Sequence, residues 1–155
     1  MTRKITLCLW FNGCAEEATA LYAGLFPESR VIDVSRYGDG EHGAPGAARI
    51  VTMELFGQKI TAINGGGEFA LTPAMSLLIS CETQAEVDRY WDGLAAGGKP
   101  MRCGWITDRF GVTWQIIPAQ FKRLISDPNT GGRVMAAACE MTKVDIAALE
   151  RAAQG

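Results

Sequence analysis

A chain of 155 residues suits one globular domain with a sizeable core, and its formal net charge of -2, with scattered basic residues, excludes an electrostatic nucleic-acid or membrane surface. No apolar run is long enough to span a bilayer, and the start, MTRKITLCLWFNG, lacks the shape of a cleavable signal. Five cysteines, an odd count with no CxxC pair, argue against a disulfide framework and make a reducing cytoplasm the expected location.

Ile5 to Phe11 reads as a strand. A helix follows, with Asn12 or Gly13 able to cap it, Glu16 and Glu17 in its first turn and Pro27 ending it. Its apolar stripe is Ala18, Leu21, Tyr22 and Leu25. Val31–Arg36 and Arg49–Leu55 read as strands, separated by the glycine-rich segment Tyr37–Ala48, a long exposed loop that holds His42, the sole histidine. Phe56-Gly57 turns tightly into a strand over Lys59–Ile63, and Asn64–Gly67 reads as a connector.

A strand over Met75–Cys81 opens the second half. Thr83-Gln84-Ala85-Glu86 is a capping box for a helix whose stripe is Val87, Tyr90, Trp91 and Leu94, closed by Gly97-Gly98. Cys103–Pro118, CGWITDRFGVTWQIIP, reads as a β-hairpin with runs Gly104–Thr107 and Val112–Ile117 around Asp108–Gly111. In the second run Thr113, Gln115 and Ile117 share one face, and Trp114 and Ile116 the other. Both faces carry apolar bulk, so the strand is expected to be covered on both sides. A buried Gln115 amide must then find hydrogen-bond partners. After Pro118 the pattern turns helical, with segments over Gln120–Ile125, Arg133–Cys139 and Val144–Ala152 and a break at Asp127–Gly132. Their small residues suit close packing on the domain or on a partner subunit.

The two helix stripes are related by a constant offset of 69 (87 − 18, 90 − 21, 91 − 22, 94 − 25), and the strands before them nearly so. The turns Phe56-Gly57 and Phe110-Gly111 correspond with an offset of 54 (110 − 56). The chain is therefore a duplication of strand–helix–strands, with 15 extra residues (69 − 54) in the first copy near the Tyr37–Ala48 loop. The second copy is expected to have lost or shortened a strand around Lys99–Arg102.

The Cys103–Pro118 pattern, with FNGCAEEATALY at Phe11–Tyr22, NGGGEF at Asn64–Phe69 and KVDIAALERA at Lys143–Ala152, resembles the PhnB-like proteins. These are a branch of the vicinal oxygen chelate superfamily, beside glyoxalase I, extradiol dioxygenases and bleomycin-resistance proteins. The resemblance implies an α+β fold of paired βαβββ modules around a cleft, with C-terminal helices added. The expected organisation is a single domain over 1–155: module one at 1–64, module two at 73–118 and a helical extension at 119–155.

In the metal enzymes of that superfamily, His and Glu side chains from both modules converge on a divalent ion. The final-strand Glu position, four residues after the turn glycine, falls here on Gln115, and the 54 offset places its counterpart at Thr61. The first-strand position falls near Thr6 or Leu7, and its counterpart near Met75 or Ser76. Hydroxyls and an amide are poor ligands for a divalent metal, so the resemblance implies a chelate site without metal or other cofactor. Thr6, Thr61, Ser76, Gln115 and Trp105 are the candidate ligand-contacting residues, with Trp105 as an aromatic wall. Gln115 has a structural reading beside this one, as an amide that bonds a neighbouring strand or the Ser76 hydroxyl. Cys103 lacks an activating base nearby and reads as a packed thiol, and Asp108 as a turn residue.

The family has been labelled demethylubiquinone methyltransferase. The chain shows no GxGxxG or GxxxxGK pattern and no glycine-rich strand-to-helix turn with a downstream acidic residue, the marks of a nucleotide-binding fold. The expected function is metal-independent binding of a small molecule by a homodimer, with no nucleic-acid or membrane partner. The alternative is an enzyme of unidentified substrate, and what separates the two is a general base in the cleft, of which no convincing one is found. The purified protein is expected to carry no stoichiometric transition metal. Elemental analysis after mild purification checks this, and one equivalent of zinc, nickel, iron or manganese per chain would overturn it.

Overall fold

A computed structural model describes residues 4–155; the first three residues of the expected module one lie outside it. The chain divides into two compact units, Met1–Leu71 and Thr72–Gly155.

In the first unit the elements are β1 (Leu7–Phe11), α1 (Ala15–Leu25), β2 (Arg30–Arg36), β3 (Ala48–Leu55) and β4 (Gln58–Asn64). The strands form one mixed sheet in the order β1-β4-β3-β2, with β1 parallel to β4 and the other pairs antiparallel. Alternation decides which face is buried. Leu9, Phe11, Val51, Met53, Leu55, Ile60 and Ala62 are buried on the face that α1 covers with Ala15, Ala18 and Tyr22, with Phe26 buried just past its end. Phe56 and Gly57 both take positive φ, +47° and +71°, which lets two residues reverse the chain between β3 and β4.

The cap of α1 differs from expectation. Neither Asn12 nor Gly13 caps it; Cys14 occupies the cap position and makes no side-chain cap bond. Instead Asn64 at the end of β4 accepts from the Ala15 N–H at 3.0 Å and donates to the Ala48 carbonyl at 2.9 Å. One amide thus serves a helix start and a strand end that are distant in sequence, which local pattern cannot reveal. The Tyr37–Ala47 stretch of the long loop is closed at its base by bonds between Tyr37 and both Gly46 and Ala47, and Ala48 already belongs to β3.

In the second unit the elements are β5 (Leu77–Cys81), α2 (Gln84–Ala95), β6 (Lys99–Pro100), β7 (Trp105–Thr107), β8 (Thr113–Pro118), α3 (Phe121–Ile125), α4 (Gly131–Glu140) and α5 (Ile146–Gln154). The sheet order β5-β8-β7-β6 repeats that of the first unit, and β5 is again parallel to β8. The expected shortened strand is β6, two residues long. Met75 and Ser76 fall outside β5, and Met75 is 69% exposed.

The stripe Val87, Tyr90, Trp91, Leu94 is buried as expected, on the face that holds Ile79, Cys81, Ile106, Trp114 and Ile116. Fully burying one such side chain contributes about 1.5–3 kcal/mol, so the stripe dominates this unit's sheet–helix adhesion. Burial also pushes the Cys81 thiol up to about 12, so it acts as an inert apolar group. Thr83 caps α2 by accepting from the Glu86 N–H at 3.2 Å. The return bond reaches the Glu82 N–H at 2.6 Å, one residue earlier than the box predicts.

The inward positions refine the duplication. Leu9 and Phe11 of β1 match Ile79 and Cys81 of β5, an offset of 70 (79 − 9, 81 − 11) against 69 for the helices. Strand pairing agrees: Cys8 lies opposite Thr61, and Leu78 lies opposite Gln115. The second copy therefore has one residue fewer between its first strand and its helix, which sequence offset alone smooths over.

The extension folds on the second unit through its own small core of Leu124, Val134, Ala138, Val144 and Leu149. Gln84 in the first turn of α2 ties it down, donating to the Val144 carbonyl at 3.1 Å and accepting from the Ile146 N–H at 2.9 Å.

Asp108 fixes the β7–β8 hairpin. It is 4% exposed; Oδ1 accepts from the Phe110 and Val112 N–H groups at 2.9 and 3.0 Å, and Oδ2 from the Trp114 indole N–H at 2.9 Å. Asp108→Asn keeps the volume but turns an NH₂ toward one of these donors. The expected loss in unfolding free energy is about 2 kcal/mol, and a denaturation curve indistinguishable from wild type would show that the hairpin does not depend on this carboxylate.

Candidate functional site

Because Trp114 and Ile116 face α2, Gln115 and Ile117 must face the other side of the same sheet. Leu78 and Ser80 share that side from β5, and Trp105 lies directly opposite Gln115 on β7. Here the sheet borders a cavity of about 500 Å³ whose remaining wall comes from the extension, including Phe121, Lys122, Ile125 and Met135. Its lining is mainly apolar, with Trp105 as an aromatic surface, Gln115 as an amide and Lys122 as a cation, the mixture expected of a small-molecule pocket.

Gln115 Nε2 donates to Ser76 Oγ at 2.8 Å, the partner foreseen in its structural reading. That bond uses one of the amide's two donor hydrogens and sets which way the side chain points. Ser76 itself does not line the cavity; it positions Gln115, which does. Trp105 and Gln115 thus come together, with Ser76 behind them. Thr6 and Thr61 belong to the first unit, where Thr6 is exposed ahead of β1 and Thr61 is half-buried on β4. The first unit has a pocket of its own, about 470 Å³, and neither threonine lines it.

That first-unit pocket collects Asn12, Glu16, Tyr37, His42 and Asn64, of which Glu16, Tyr37 and Asn64 are engaged elsewhere. Glu16 forms a two-pronged pair with Arg36 at 2.7 and 3.2 Å, which holds its carboxyl below the usual range. The Tyr37 hydroxyl donates to the Asn64 carbonyl at 2.9 Å. The cavity beside Trp105, with its more apolar and aromatic lining, is the better small-molecule site.

Sequence reasoning missed Phe121, Lys122, Ile125 and Met135. The helical pattern after Pro118 was legible, but which face of α3 and α4 turns to the sheet depends on docking. It also missed the work of NGGGEF. Trp10 donates its indole N–H to the Gly66 carbonyl at 2.8 Å and meets Phe69 edge-on at 4.9 Å, while a Cβ at Gly65 would collide with its ring. The glycine run is filled by a tryptophan, so it offers no cradle for a nucleotide-like cofactor. Cys103 lines the cavity, and burial pushes its thiol up, which leaves it protonated and poorly nucleophilic near neutral pH.

A divalent metal does not fit the residues at the positions where the sequence resemblance places its ligands. Thr6, Thr61, Ser76 and Gln115 provide three hydroxyls and an amide, none of them anionic or imidazole donors. No group of three or more His, Cys, Asp or Glu side chains suited to a metal occurs among the described residues.

The family model for 3-demethylubiquinone-9 3-methyltransferase matches residues 3–117. A solved PhnB protein from Bacillus cereus is 37% identical, with a TM-score of 0.70 over 76% of this chain and 100% of that chain. Protein PA1353 from Pseudomonas aeruginosa is 22% identical, with a TM-score of 0.61 over 73% of this chain and 95% of that one. The fosfomycin resistance protein FosX from Listeria monocytogenes, solved with manganese(II) and a dihydroxypropylphosphonic acid, shares the fold at 16% identity, with a TM-score of 0.51 over 79% of this chain and 96% of that one. No curated protein matches the chain.

Gln115→Glu tests the dryness of the position. A carboxyl there has an ordinary unfolded pKa of about 4.3. Desolvation raises the folded value, so the neutral form is tolerated at low pH and stability falls as pH rises from about 4 toward the folded pKa. The expected result is a deficit in unfolding free energy that grows between mildly acidic and neutral pH. A deficit equal at every pH would assign the amide a purely structural role.

Proposed function

The chain belongs to the PhnB-like family of the vicinal oxygen chelate superfamily, and from that premise we propose that it binds a small organic molecule, without metal, in the Trp105–Gln115 cavity. The observation that carries this reading is the cavity's lining. Trp105, Phe121 and Ile117 supply flat and branched apolar surface, Gln115 keeps polar capacity beyond its bond to Ser76, and Lys122 adds a positive charge. A ligand with an apolar body and an acidic or hydrogen-bonding group suits this set.

The same lining favours binding over turnover. It holds no Asp, Glu or His to move a proton, and its Cys103 thiol is kept protonated by burial. The family description names a methyl transfer, but neither the filled glycine run nor the cavity offers a recognisable methyl-donor site. Enzymatic turnover is therefore the second reading. Lys122, a cationic electrophile or proton donor at the cavity wall, is the residue it would draw on.

The apolar anion anilinonaphthalene sulfonate is a suitable probe. It is expected to bind saturably at one site per chain with increased fluorescence. An aromatic contact contributes about 1 kcal/mol beyond its area, so Trp105→Ala is expected to weaken binding about fivefold or more. Phe69→Ala, in the first unit, is expected to leave it unchanged. Equal affinity for wild type and Trp105→Ala would sink this assignment of the site.

A further inference from the structure

The polar groups of the second-unit cavity stand at different levels along β8. Gln115 shares one rung of the sheet with Leu78 on β5 and Trp105 on β7, so its amide lies between an aliphatic and an aromatic neighbour. Ile117 and Ser80 form the next rung on that face, about 7 Å further along the strand. β8 ends at Pro118, and Lys122 follows in the first turn of α3. An amide at mid-strand, then branched apolar surface, then an ammonium beyond the strand end therefore succeed one another along the cavity.

The two polar ends ask for different groups. Gln115 Nε2 already donates to Ser76 Oγ, whereas its Oε1 accepts from nothing among the described residues. A free acceptor between apolar neighbours calls for a donor. At the other end, Lys122 is the only charged residue in the lining. Among the described residues it has no ion pair, and neither has Arg123 beside it. This end is positive with no protein anion to balance it, so a negative group gains there and a cation loses.

Given the binding role argued above, on which this step rests, we infer that the ligand is a flat monoanion with an acid group at one end and an N–H or O–H donor at the other. The acid meets Lys122, the donor bonds to Gln115 Oε1, and the apolar frame between them covers Ile117 beside Trp105. The order of groups along β8 thus fixes the direction in which the ligand lies. A second acid in place of the donor would set an unbalanced charge against a carbonyl oxygen and apolar neighbours, so dianions are disfavoured.

Indole-3-butyrate is a probe of this class, with a ring N–H opposite its carboxylate. Calorimetric titration compares it with 1-methylindole-3-butyrate, which lacks the donor, and with indole-3-butyramide, which lacks the charge. The full wild-type chain is expected to bind the acid at one site, the amide about tenfold more weakly and the N-methyl acid about threefold more weakly or worse. Lys122→Met is expected to bring acid and amide to the same affinity, and Lys122→Arg to keep the preference for the acid. The probes are compared on wild type, so the result stands even where a variant folds poorly. Equal wild-type affinities for acid and amide, or for acid and N-methyl acid, would overturn the two-ended ligand. If anilinonaphthalene sulfonate binds beside Trp105 and indole-3-butyrate does not displace it, the ligand class falls and the binding role survives. A chain that binds neither compound overturns both.

Discussion

Asp108 accepts three hydrogen bonds and is almost wholly buried, and the second sheet's geometry depends on it. Two of the bonds close the turn by satisfying the Phe110 and Val112 N–H groups. The third draws the Trp114 indole to the α2 side of the sheet. Once Trp114 is held there, the two-residue period of a strand sends Gln115 and Ile117 to the other side. The position of the candidate site follows from that alternation, not from any interaction of Gln115 itself.

The first unit reaches comparable order by different means. Its hairpin turn, Phe56-Gly57, relies on two left-handed residues, whereas the corresponding Phe110-Gly111 turn has a buried acid behind it. Asn64 joins the end of β4 to the start of α1 and the start of β3, and Trp10 fills the space above Gly65 and Gly66. The duplicated copies have kept sheet order and helix stripe, which the core demands, and have diverged where side chains face outward. That divergence reaches the equivalent positions Thr61 and Gln115: Gln115 borders the cavity that Trp105 lines, while Thr61 is half-buried on β4.

The residues at the positions where the sequence resemblance places metal ligands are neutral, and neutrality changes what such a site needs. A carboxylate or imidazole at position 115 would need a compensating cation or a shifted pKa in such apolar surroundings. An amide needs only hydrogen bonds, and the Ser76 hydroxyl supplies one. The cavity can therefore stay mainly apolar without burying an unpaired charge.

Much of the fold was legible in the sequence because it rests on local, repeated constraints. Helix stripes at matching offsets, turn glycines and strand alternation reported the duplication, and the residue pattern of Cys103–Pro118 pointed to the family. The neutral character of Thr6, Thr61, Ser76 and Gln115 was equally a property of sequence. What remained hidden required distant residues to meet. The cap of α1 comes from Asn64, 49 positions beyond the N–H it serves. Lys122 and Met135 reach the cavity only because α3 and α4 dock with one face inward, and the chain leaving α4 is held there by its bonds to Cys103 and Gly104 of the β6–β7 loop. Periodicity specifies which face of an element is apolar; only tertiary packing selects what that face meets.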